Sequence, residues 1–316
     1  MGLEGFLGNE RVKQNLEQSL RRGHISHFYL ISGPRGSGKR TLAKMLAAAI
    51  LCREAARPCM SCGICRRCME GSHPDFITVE DPEHKNVAVK IVREIRDDMF
   101  ILPNESDHKI YMFPQDLGIE GQNALLKVLE EPPKYGVFLL LTDNPEKILP
   151  TVRSRCTELK LTALPGQLLR QTLGREFPKA EKADIDAAIV RSGGFLGQAR
   201  EILESGDALP PQTESFVRSF AARDALGLTQ TLVPMEKWKR DALLPVLGSW
   251  LETVESALAC RSGSTAVSAM ARTLAESRSS SELYQAALTL KKAVEYATGN
   301  VSPAAVCGWL AWELRG

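Results

Sequence analysis

Two groups of residues in this chain have the types and spacing to do chemistry. The first is Gly33-Pro34-Arg35-Gly36-Ser37-Gly38-Lys39-Arg40-Thr41. Glycines let backbone N–H groups turn inward around phosphate oxygens, and a lysine directly after them reaches the outer phosphates. The residues expected to cradle a nucleotide are therefore Gly33, Gly36, Ser37, Gly38, Lys39, Arg40 and Thr41. The position after Gly-Lys ordinarily holds Ser or Thr, whose hydroxyl ligates Mg²⁺. Here it holds Arg40, which has no acceptor atom, and Thr41 is about 100° farther round a helix. Mg²⁺ is therefore not expected. Lys39 and Arg40 would still attract phosphate, so binding of ATP or ADP without hydrolysis stays open.

The second group is Cys52, Cys59, Cys62, Cys65 and Cys68. Cys-x-x-Cys spacing puts two thiolates on one tight turn, and four thiolates suit tetrahedral Zn²⁺. The consecutive spacings fix Cys59, Cys62 and Cys65 as ligands, and the fourth is Cys52 or Cys68. In a reducing compartment such crowding reads as a metal site rather than a disulfide framework. No polar partners for a catalytic metal lie nearby, so the expectation is a structural zinc pinning an insertion at 52–68.

These residues need elements to position them. Phe28-Tyr29-Leu30-Ile31 reads as a buried strand feeding the glycine loop, and a helix is expected from Lys39 to about Cys52. Lys109–Phe113 reads as another buried strand. A hydrolysing P-loop protein ends it in Asp-Glu, the Asp holding Mg²⁺ and the Glu polarising water. Here Pro114 and Gln115 stand there, and Asp116 is expected to cap the next turn. A helix over Gln122–Glu131 stops at Pro132-Pro133. Val137–Leu141 reads as a strand buried on both faces, with Thr142 and Asn144 at its end facing the phosphates.

The alternation of strands and helices implies a doubly wound α/β domain over residues 1–165. Beyond Gly166 the strands vanish. Residues 166–208 read as a small domain of short helices, broken at Phe177-Pro178 and Ser192-Gly193-Gly194. Leu209-Pro210-Pro211 reads as a linker. Residues 209–316 read as all-helical, with Pro245 expected to break or kink the longest helix. A length of 316 residues suits two or three such domains. A net charge of +2 argues against a strongly basic nucleic-acid mantle. No run approaches the roughly 18 apolar residues of a membrane span, and the N-terminus lacks a signal-peptide pattern, so a cytoplasmic protein without a membrane partner is expected.

The string from Gly121-Gln122-Asn123-Ala124 through Glu130-Glu131-Pro132-Pro133, followed by Ser154-Arg155-Cys156, resembles the bacterial clamp-loader branch of the AAA+ ATPases. So does a cysteine insertion directly after the P-loop helix, with Pro58-Cys59, Gly71 and His73-Pro74-Asp75 in register. The resemblance spans roughly residues 5–205. It implies an AAA+ P-loop domain with a parallel sheet, a helical lid and a C-terminal helical collar. It also favours Cys52 as the fourth zinc ligand, with Cys59, Cys62 and Cys65.

Within that family gamma/tau-type subunits hydrolyse ATP, whereas another kind keeps the fold and has lost its own ATPase chemistry. Arg40 and Pro114-Gln115 depart from the hydrolysing pattern, and so does Gly197, at a position where the family carries an arginine for the γ-phosphate. The resemblance thus implies a non-hydrolysing subunit whose Arg155 acts as an arginine finger on a neighbour's ATP, with Arg153 structural or on DNA backbone. The partners implied are gamma/tau and delta clamp-loader subunits, and through the assembly a sliding clamp and primer–template DNA. Two other readings stand beside it: an active gamma/tau-type ATPase, and a zinc-containing nucleic-acid-binding adaptor on a disabled P-loop scaffold.

Overall fold

The computed structural model of the protein describes residues 2–204, 210–263, 269–299 and 301–315. Five parallel strands, β1 (Phe28–Ser32), β2 (Phe76–Thr78), β3 (Lys109–Phe113), β4 (Gly136–Thr142) and β5 (Thr157–Lys160), form one sheet in the order β2-β3-β4-β1-β5. The helices between them are α1 (Glu10–Arg21), α2 (Lys39–Leu51), α3 (Gly63–Glu70), α4 (Val89–Asp98), α5 (Ile119–Glu130) and α6 (Pro150–Arg153).

Strand side chains alternate between faces, and the two sheet faces build two cores. Tyr29, Ile31, Ile110, Met112, Leu139 and Leu141 pack on one side with α2, whose residues from Met45 to Leu51 are all buried. Phe28, Leu30, Tyr111, Phe113, Phe138 and Leu140 pack on the other with Val92, Leu125 and Val128. Both faces being covered explains why β1, β3 and β4 are buried along their whole length.

Three helices follow, α7 (Gly166–Glu176), α8 (Lys182–Arg191) and α9 (Leu196–Glu204), around a small core of Leu169, Leu173, Ile185, Ala188 and Ala199. By its contacts the chain divides into two compact units, Met1–Glu204 and Ser205–Gly316, so these helices belong with the sheet. Of the expected linker, Leu209 lies outside the described residues. Pro210 and Pro211 start a helix instead, a place where proline's missing N–H costs nothing.

The second unit holds α10 (Pro211–Ala221), α11 (Ala225–Leu232), α12 (Arg240–Arg261), α13 (Ala269–Ser277), α14 (Ser280–Thr298) and α15 (Pro303–Glu313). Trp250 is fully buried in its core and stacks on Phe216 at 4.4 Å between ring centroids. Of the expected break or kink at Pro245 the break does not occur, since α12 runs through it for 22 residues. The carbonyl deprived of its partner is that of Asp241, an exposed residue in the first turn. Among the described residues no helix is long and apolar enough to cross a membrane.

Candidate functional site

The strand order sets the ends of β3, β4 and β1 side by side. The segments leaving them therefore converge on one cleft of about 490 Å³, lined by Gly36–Thr41, Pro114, Asp143, Gly197 and Arg200 among others. Ligands of open α/β sheets bind at such carboxyl ends. Gly36 and Gly38 have φ of +74° and +91°, the left-handed region that glycine enters without strain. Gly38 is the N-cap of α2 and gives no side-chain cap, so first-turn N–H groups remain for an anion. The Ser37 hydroxyl is buried without a hydrogen-bond partner. A phosphate oxygen would satisfy it.

The three cations of the loop are already paired, Arg35 with Glu201 at 3.2 Å. Lys39 Nζ donates to the carbonyls of Gly33 at 2.6 Å and Pro34 at 2.9 Å, and meets Asp143 Oδ1 at 2.6 Å. Arg40 Nη2 meets Glu80 Oε1 at 2.6 Å.

At the strand ends the residues expected to mark the site take the following positions. Pro114 lines the cleft without a ligand atom. Gln115 turns to the loop at 81–84: its Oε1 accepts from the Asp81 N–H at 2.9 Å, and its Nε2 donates to the carbonyls of Asp81 and His84. Asp116 does not cap the following turn. Its carboxylate accepts from Thr142 Oγ1 at 3.2 Å and pairs with Lys147 at 3.0 Å, while uncapped Gly118 starts α5. The Thr142 hydroxyl is thereby engaged with Asp116, and Asn144 accepts from the Glu146 N–H at 2.9 Å. From this strand end Leu141 and Asp143 line the cleft, and Asp143 brings the charge. On α9, Gly197 N–H donates to the Gly36 carbonyl at 2.9 Å. A Cβ at Gly197 would lie 2.7 Å from the Gly36 Cα, so no arginine fits there while the loop holds this shape. One turn on, Arg200 lines the cleft with its guanidinium clamped on Glu176 at 2.7 and 2.6 Å.

Arg155 follows α6, half-buried on the outer surface. Its Nη1 donates to the Thr151 carbonyl at 2.7 Å, and its Nη2 pairs with Glu130 at 3.0 Å. Arg153 pairs with Glu146 at 3.2 Å and Glu158 at 3.3 Å. The Cys156 thiol donates to the Arg153 carbonyl at 3.0 Å, and burial pushes it up to about 11, so it stays protonated and packs.

The thiols of Cys52, Cys59, Cys62 and Cys65 all lie within 4.8 Å of one another. Cys59 Sγ and Cys65 Sγ are 3.9 Å apart, and a tetrahedral site with ~2.3 Å Zn–S bonds has edges of roughly 3.8 Å. The residues present thus fit a Zn²⁺ ion. Cys52 leaves α2 in an extended conformation, and Cys62 starts α3 with its sulfur accepting from the Cys65 N–H. The Cys62 N–H in turn donates to Cys59 Sγ at 3.3 Å. Hydrogen bonds from Ser61 and Cys62 hold the Cys59 thiol down at about 6, whereas burial raises Cys52 and Cys65, which need a cation to ionise. Cys68 lies outside this group, fully buried, its thiol pushed up to about 12 by burial.

A family model described as DNA polymerase III, delta subunit, matches residues 8–165, half of the chain. The chain belongs to this family. It is 32% identical over 219 residues to DNA polymerase III subunit tau of Bacillus subtilis, covering 65% of this chain and 38% of that one. It is 35% identical over 232 residues to subunit gamma/tau of Mycobacterium tuberculosis, covering 71% and 40%. Against subunit tau of Escherichia coli it is 36% identical over 171 residues, covering 53% and 26%. The chain thus spans two fifths of the length of these relatives at most. Family and relatives place it in the clamp-loader branch of the AAA+ proteins, in keeping with the parallel sheet and glycine loop.

For a clamp-loader chain, three groups at the site escaped the sequence reading. Asp143 and Arg200 enter the cleft, and Glu130 holds Arg155. The signal for Asp143 was a carboxylate directly after a buried strand beside the glycine loop. Arg200 and Glu130 carried none, because nothing in one sequence says which exposed charges meet.

Proposed function

We propose that this chain is a delta-prime-type subunit of a bacterial DNA polymerase III clamp loader: it does not hydrolyse ATP itself and supplies Arg155 in trans to the ATP of a neighbouring subunit. The observation that carries the reading is one of contrast. The Ser154-Arg155-Cys156 turn presents a guanidinium on the outer surface. The chain's own cleft offers Arg40 and Pro114, with Gln115 turned away to the loop at 81–84, where Mg²⁺ and the attacking water would need an oxygen ligand and a base. Guanidinium suits a finger because it is always charged and forked.

On this reading residues 1–165 are the AAA+ domain, 166–208 its lid, and 209–316 the share of a helical collar that joins gamma/tau and delta subunits. The assembly, in the cytoplasm, loads a sliding clamp on primer–template DNA. Cys52, Cys59, Cys62 and Cys65 hold a structural Zn²⁺. The test is ATP turnover by the isolated chain and by a loader reconstituted with gamma/tau and delta subunits. The isolated chain should show no Mg²⁺-dependent hydrolysis, and the complete loader should.

A second reading, an active gamma/tau-type ATPase, is favoured by the identity of 32–36% to tau and gamma/tau subunits. Hydrolysis by the isolated chain that disappears in Lys39→Ala would decide for it.

A further inference from the structure

We propose that Asp143 is an internal anion that takes the place of a nucleotide phosphate at Lys39, so that the loop has little affinity for ATP or ADP until that carboxylate is neutralised. The proposal concerns binding, not hydrolysis, and does not depend on Arg155 acting in trans.

An ammonium group has three N–H donors. Those of Lys39 are spent on the carbonyls of Gly33 and Pro34 and on Asp143 Oδ1, at 2.6, 2.9 and 2.6 Å. With the Lys39 side chain only 13% exposed, little room is left for another ligand. A phosphate arriving here must displace Asp143 from the lysine and then sit beside the displaced carboxylate in the same cleft, like charge facing like charge. Mg²⁺ between the two would turn the repulsion into a bridge. The position that ordinarily supplies its hydroxyl ligand carries instead the cation of Arg40, paired with Glu80.

The rest of the cradle is intact. Gly36 and Gly38 keep the left-handed backbone of an anion loop, and the first turn of α2 has no side-chain cap. The buried Ser37 hydroxyl has no hydrogen-bond partner. One carboxylate, rather than a lost cradle, sets the affinity, so one substitution should restore it.

The experiment is a calorimetric titration of the full chain with ATP, with and without Mg²⁺ and without chelator, which would strip the cysteine site. Wild type is compared with Asp143→Asn and with Asp143→Asn carrying Lys39→Ala. Asparagine has the same shape, and the Asp143 side chain is 64% exposed, so the fold should be unaffected. Asp143→Asn should bind ATP roughly tenfold or more tightly than wild type in the absence of Mg²⁺, and the added Lys39→Ala should remove the gain. Equal affinity of wild type and Asp143→Asn would overturn the proposal. So would weaker binding of Mg²⁺-ATP by Asp143→Asn, which would make Asp143 a metal ligand instead.

Discussion

Arg155 is held in place by a carbonyl and a carboxylate, and the two should matter unequally. The pair with Glu130 lies at the surface, where such contacts contribute about 0–1 kcal/mol, and the Thr151 carbonyl remains when it is lost. Glu130→Gln should therefore lower turnover of the reconstituted loader by no more than about fivefold. A larger drop would mean that Glu130 itself reaches the neighbouring site. Asp75 is the opposite case, a carboxylate with no exposure that accepts from the N–H groups of Asn104, Glu105 and Ser106 and from the Asn104 amide. Burial pushes it up, but these donors outweigh burial and hold it below the usual carboxylate range. Its contribution is thus present above the ordinary carboxylate value and fades as pH falls through the lowered one. Asp75→Asn should cost about 1–3 kcal/mol at neutral pH and lose less than wild type on acidification, both read from denaturant melts across pH. At this scale the sequence was readable where a residue type has one use: Arg40 cannot ligate a cation wherever it points. It was not readable at Thr142, Asp143 and Asn144, where the end of β4 engages the polar flanking pair locally and brings the central carboxylate in.

Among elements, the cysteine module packs on α2, where Lys44 Nζ donates to the Met69 carbonyl at 2.8 Å, and is tied to the loop at 103–106 through Glu105. Arg53 Nη2 donates to the Glu105 carbonyl at 2.6 Å, and Arg67 and His73 both meet the Glu105 carboxylate. Loss of the metal should free α3 and loosen these ties. Chelation should then raise amide exchange over residues 59–70 and 103–106 and leave α10–α15 unchanged. Exchange that stays flat at 103–106 would uncouple the module from that loop. In the second unit, α14 starts with a capping box of Ser279 and Glu282. Hydrogen bonds from the Ser279 N–H and hydroxyl and from Arg278 hold Glu282 down at about 2. Ser279→Ala should destabilise that unit by about 1 kcal/mol in thermal melts. Strands β1, β3 and β4 were legible because continuous apolar runs bounded by turn residues have few other uses. The course of α12 was not, since the cost of a proline depends on which carbonyl it orphans, here that of Asp241, an exposed residue of the first turn.

For the molecule as a whole, the sheet-bearing unit displays two sites of opposite character. One is a glycine loop whose cations are paired internally, which on the proposed function carries Arg40, Pro114 and Gln115 at the metal and base positions. The other is the half-buried Arg155 guanidinium, held by the Thr151 carbonyl and Glu130, which on the proposed function serves a neighbour's ATP. The alternation of strands and helices made the first unit readable from sequence, because each glycine, proline and cysteine there has a local geometric meaning. The boundary at 204–205 was read a few residues late, because Pro210-Pro211 marks a helix start as readily as a linker. On the proposed function this chain completes a site it does not contain. The most direct test of this is single-turnover ATP hydrolysis by a loader reconstituted with gamma/tau and delta subunits, with this chain as wild type or Arg155→Ala. Hydrolysis at the adjoining site should slow by roughly 10³-fold or more in the variant, with assembly unchanged by sedimentation. An unchanged rate in an intact complex would contradict the account.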